Sequence, residues 1–105
     1  IMALKIGTFY DKGSHFEGIF ETRKLHDLGN IIIDPYDKSP DSSEPDYIVR
    51  SGQFQIGRGW KQTTKDGERE YINLILDDPH MEEEIRARLV KQGDQHILLW
   101  ERMVD

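Results

Sequence analysis

The chain has 105 residues, a formal charge of −6 and no cysteine, which excludes a disulfide framework, thiolate zinc sites and thiol nucleophiles. One domain, residues 1–105, is expected, long enough to bury roughly two-thirds of the surface that its unfolded chain exposes. The longest apolar runs, Ile31 to Ile33 and Ile97 to Trp100, fall far short of a membrane span, so a soluble, cytoplasmic protein with no membrane partner is expected.

Ala3 to Tyr10 alternates Leu4, Ile6, Thr8 and Tyr10 against Lys5, Gly7 and Phe9, which is the period of a strand. Asp11 to Ser14 turn the chain. His15 to Leu25 reads as the return arm of a first hairpin, with Gly18 marking a bulge or a close backbone approach. Asp27 to Asn30 is a turn, and Ile31 to Ile33 is a β-branched run suited to a buried strand. Residues 34–46 then change character: three prolines, three serines, five acidic residues and one lysine predict a mobile acidic loop. Tyr47 to Arg50 restarts the sheet, and Phe54 leads into the central hairpin.

That hairpin spans Ile56 to Leu76, with its tip at Lys65, Asp66 and Gly67, because Asp-Gly between strand-forming runs supplies the positive φ of a tight turn. Two registers are open. A two-residue turn over Asp66 and Gly67 sets Trp60 opposite Asn73, on one face with Arg58, Gln62, Arg69 and Tyr71 and away from Ile72, Leu74 and Leu76. A three-residue loop with a Gly bulge sets Trp60 opposite Ile72 and sends the indole into the core. A one-residue slip exchanges the whole face.

Asp77, Asp78 and Pro79 end the hairpin. Met81 to Gly93 fits either period: Met81, Ile85 and Leu89 recur as on a helix, while Ile85, Ala87 and Leu89 alternate as in a strand. The all-β surroundings favour the strand. A last strand, His96 to Arg102, carries Ile97 to Trp100. Seven or eight short strands separated by turns predict an all-β fold, a small antiparallel barrel or strongly curved sheet, with a long acidic loop and at most one short helical turn.

The residues Ile6, Gly7, Thr8 and Phe9; Phe16 with Gly18; Pro45, Asp46 and Tyr47; Ile56 and Gly57; Trp60 and Lys61; Gly67 with Tyr71; Leu76 to Pro79; Ile85, Ala87 and Leu89; and Leu99, Trp100 and Arg102 resemble the bacterial family known as domain of unknown function 736. The resemblance covers nearly the whole chain. It implies a setting on plasmids and integrative elements, hence DNA transfer, maintenance or defence, and it supports the strand reading of Ile85 to Val90. The hairpin is also similar to that of the oligonucleotide-binding (OB) barrel of single-stranded-DNA-binding proteins in its Gly67 to Tyr71 spacing, although the arm from Trp60 is longer by two. This likeness implies an OB-like barrel.

No nucleophile elbow, phosphate loop or paired-histidine zinc motif is present, so a non-enzymatic protein without cofactor or metal is expected. His15, His26, His80 and His96 stand singly near turns or strand ends and read as solvent-exposed imidazoles. Asp77, Asp78, His80, Glu82, Glu83 and Glu84 offer hard oxygen donors, but without a glycine pivot they read as a solvated acidic turn. Residues 34–46 hold a net −4 and residues 77–84 a net −5, which leaves +3 on the rest of the chain. Arg58, Trp60, Lys61, Arg69 and Tyr71, with Arg86 and Arg88 on a neighbouring strand, therefore form the expected contact surface. Trp60 and Tyr71 would stack bases while the cations track phosphates of single-stranded nucleic acid. The competing expectation is a protein-interaction module, an adaptor or inhibitor, acting through an exposed strand edge or the acidic loop.

Overall fold

The computed structural model describes residues 3–40, 42–79 and 81–101. Eight strands follow one another: β1 (Ala3–Asp11), β2 (Phe16–Phe20), β3 (Ile31–Pro35), β4 (Tyr47–Ser51), β5 (Phe54–Thr63), β6 (Glu70–Leu76), β7 (Ile85–Gln92) and β8 (Gln95–Glu101). Each pairs antiparallel with the next and β8 returns to β1, which closes an up-and-down barrel. The all-β barrel expected from the strand count is the observed fold. Its nearest-neighbour order differs from the five-stranded Greek key of an OB barrel, so the OB-like topology is corrected. Closure also gives every strand two neighbours. The expected strand addition at an exposed edge therefore finds no strand that is unpaired along the whole of one side.

Period-two alternation builds the interior. On β6, Ile72, Leu74 and Leu76 are buried while Tyr71, Asn73 and Ile75 face outward. Phe9, Phe20, Ile31, Ile33, Val49, Leu74, Leu76, Leu89 and Leu98 are each under 2% exposed and fill the barrel. An eight-stranded barrel has an interior just wide enough for side chains. Here the width is managed by pairing large residues with glycine on the adjacent strand. Phe20 lies opposite Gly7, Phe9 opposite Gly18, Leu76 opposite Gly57 and Leu74 opposite Gly59. The interior is apolar and the outer wall carries Arg50, Arg58, Arg86 and Arg88, the reverse of a membrane-spanning barrel. No helix among the described residues is long and apolar enough to cross a membrane.

Two local readings change and one is resolved as favoured. The return arm expected over His15 to Leu25 ends as a strand at Phe20. The chain then makes a single 3-10 turn, His26–Leu28, and Leu25 turns inward to join the core. Residues 85–92 are strand β7, which resolves the helix-or-strand ambiguity in favour of the alternation. At the central hairpin the register is the one that sets Trp60 opposite Asn73, but the chain turns through four residues, Lys65 to Glu68, between Thr64 and Arg69. The Gly67 N–H donates to the Thr64 carbonyl at 2.8 Å, with Gly67 at φ +74°. The Asp66 carboxylate accepts from the Thr64 hydroxyl and the Glu68 N–H, both of which hold it below its ordinary pKa.

Candidate functional site

Because Gly59 and Leu74 point inward as a pair, their neighbours Trp60 and Asn73 point outward. The registers of the next two strands extend that row. Trp60, Asn73, Arg88 and Leu99 stand side by side across β5, β6, β7 and β8. Arg58, Ile75 and Arg86 form the row beside it. Together with Gln62 and Glu101, Trp60, Asn73, Ile75, Arg86, Arg88 and Leu99 line an open groove of about 340 Å³ on the outer wall.

The charges in this groove are not equivalent. The Arg58 guanidinium sits 5.8 Å from the indole centroid of Trp60, within cation–π range. Arg88 is ion-paired with Glu101, and Arg86 pairs with Glu84 at 2.8 Å. Tyr71 lies opposite Gln62 on the same outer face, one row toward the hairpin tip. Arg69 closes the tip loop, its N–H donating to the Thr64 hydroxyl at 3.3 Å, away from the groove. Lys61 lies opposite the inward residue Ile72, so its side chain belongs to the other face of β5 and is not beside Trp60. Of the seven residues expected at one surface, the fold gathers Trp60, Arg86 and Arg88 in the groove, with Arg58 beside the indole and Tyr71 adjoining. Leu99 and Glu101 escape the sequence reading, since their place beside Trp60 depends on how β7 and β8 are staggered against β6.

The acidic segment is docked against the same strand. Asp34 and Pro35 close β3, and Asp34 pairs with Arg50. Further on, the Trp60 indole N–H donates to the Ser43 carbonyl at 3.1 Å. The Asp46 N–H donates to the Gly59 carbonyl at 2.8 Å, and the Lys61 N–H donates to the Asp46 carboxylate at 2.8 Å. Lys38 holds the other Asp46 oxygen at 3.0 Å.

The Lys61 N–H, and after it the Lys38 ammonium, holds the Asp46 carboxyl below its ordinary value of 3.8. Its folded pKa is thus depressed relative to the unfolded chain. The stability it contributes is present above the unfolded value and is lost as pH falls through the folded one. In a Trp100→Phe background, acidification below 3.8 is expected to shift the Trp60 emission while the far-ultraviolet circular dichroism holds. In Asp46→Asn this early step disappears. Glu44 is likewise held below its ordinary value, first by the Ser42 hydroxyl and then by the Ser39 N–H.

The histidines divide. His15 contacts Ser14 Oγ at 2.9 Å and Glu17 at 3.1 Å, a short-range chain on the β1–β2 turn. His26 pairs with Asp27 at 3.0 Å. His96, expected to be exposed, is half-buried instead: β8 turns it inward, its ring edge-on to Phe16 at 4.7 Å, and burial lowers its pKa against an opposing pull from Asp11. His80 lies outside the described residues. Among the described residues no three His, Asp or Glu side chains converge to hold a metal ion.

Fold and site together define a small closed β-barrel with an aromatic and basic groove on its outer wall and an acidic loop hydrogen-bonded beside it. The chain belongs to the family described as protein of unknown function (DUF736), whose model matches residues 5–103. No curated protein and no solved structure matches it.

Proposed function

We propose that this is a non-enzymatic, cytoplasmic binding protein that holds single-stranded nucleic acid along the β5–β7 wall, as an accessory of a mobile genetic element. The observation that carries the reading is the Trp60–Asn73 register, with Arg58 over the indole. Single-stranded nucleic acid is held by base–aromatic stacking with cations along the phosphates. Trp60 and Tyr71 supply the aromatic faces. Arg58 is placed to meet a phosphate, and Arg86 and Arg88 exchange Glu84 and Glu101 for phosphate oxygens on binding.

Anisotropy of a labelled single-stranded oligonucleotide, titrated at low and at moderate salt, tests this. Binding that weakens steeply with salt is expected, because phosphate contacts release counterions. Absence of binding at low salt removes the reading. A second reading, a protein partner, is favoured by a specific observation: Arg86 and Arg88 are already neutralised by carboxylates on a chain of net charge −6. Its contact is the same wall or the acidic loop, and it stands if the oligonucleotide is ignored.

A further inference from the structure

A second groove, separate from the first, opens at the end of the barrel where β1 starts, β2 and β6 end and β7 starts. It encloses about 850 Å³. Leu4, Leu25, Leu28, Met81 and Ile85 supply its apolar lining, and Leu4 is 57% exposed there. Leu25 is buried and Leu28, Met81 and Ile85 are partly buried against the core, so the surface left unfavourably to water is chiefly that of Leu4.

The charges around this groove are arranged with both signs. Arg23 and Lys24, between β2 and the 3-10 turn, supply two positive charges, and Glu82 and Glu83, just before β7, supply two negative ones. All four are exposed. None forms an ion pair within 4 Å among the described residues. The groove thus offers exposed charges of both signs beside apolar side chains, so it is complementary in charge to a surface of the same kind.

We propose that this surface is the same groove of a second copy, turned by a two-fold axis. An isologous contact sets each residue against its reciprocal partner. Arg23 and Lys24 of one chain then meet Glu82 and Glu83 of the other, twice, and the Leu4 and Met81 side chains close the apolar centre. The inference is independent of the nucleic-acid reading, since the two grooves share no residue.

Sedimentation velocity of the full chain, from about 1 μM to about 1 mM, reads the association. The wild type is expected to pass from one to two chain masses, less readily at higher salt. Arg23→Glu with Lys24→Glu makes both edges acidic, and Glu82→Lys with Glu83→Lys makes both basic. Each double variant is expected to associate with itself at least about tenfold more weakly, because like charges then face each other. An equimolar mixture of the two is expected to recover the dimer, which also shows that both are folded. A wild type that stays monomeric throughout overturns the proposal. So does a double variant that dimerises as the wild type does, or a mixture that remains monomeric.

Discussion

Gly18→Ala is expected to destabilise the barrel by about 3 kcal/mol or more, at the top of the range for overpacking a core. A Cβ at Gly18 would lie 2.0 Å from the Thr8 carbonyl oxygen and 2.7 Å from the Phe9 Cα, so the obstruction is backbone. Neither atom can move without separating β1 from β2, which are paired there through Phe9 and Gly18. Gly59→Ala is the informative contrast. Its nearest neighbour is the Leu74 Cδ2 at 2.6 Å, the far end of a flexible side chain, and the cost expected is about 1 to 2 kcal/mol. Gly57→Ala, 2.7 Å from the Ile75 carbonyl oxygen, falls between them. Urea midpoints should rank Gly18, then Gly57, then Gly59 in decreasing loss. Equal losses at Gly18 and Gly59 would show that the close approach of β1 and β2 is not what demands glycine.

Trp60→Ala is expected to leave the barrel folded while weakening oligonucleotide binding by about 5- to 150-fold, the equivalent of about 1 to 3 kcal/mol for one stacked base. The indole lies outside the barrel. Its hydrogen bond to Ser43 and its contact with Arg58 cost about 1 kcal/mol of stability to remove. Phe9→Ala serves as the interior comparison: a wholly buried ring whose loss is expected to cost about 3 to 5 kcal/mol. Measured by thermal melts, Trp60→Ala should track the wild type and Phe9→Ala should not. A Trp60→Ala protein that melts like Phe9→Ala would place the indole in the core and remove the groove. One that melts normally and binds the oligonucleotide unchanged would leave only the protein partner.

The hairpin register illustrates how far the linear pattern reaches. Alternation of Ile72, Leu74 and Leu76 with Tyr71, Asn73 and Ile75 defines the two faces of β6 whatever the partner does. It does not say which face receives Trp60, because Asp66-Gly67 is compatible with turns that differ by one residue. The fold resolves this through Gly57 and Gly59. Each lies opposite a large inward side chain, Leu76 and Leu74, whose Cδ2 would stand within 3 Å of any Cβ added at these two positions. That pairing sends Trp60 outward and Lys61 to the opposite face.

Local order was legible in the residues themselves: the strand segments, their turns, the acidic loop and the all-β class all follow from period-two patterning and turn chemistry over a few neighbours. Closure of β8 on β1, the assembly of Arg86, Arg88 and Leu99 beside Trp60, and the groove at the barrel end were decided only in three dimensions. The physical reason is that these depend on how far each strand is staggered and coiled against the next. That stagger is set by the collective packing of Phe9, Phe20, Leu74 and Leu76 against glycines on adjoining strands, and no single segment encodes it.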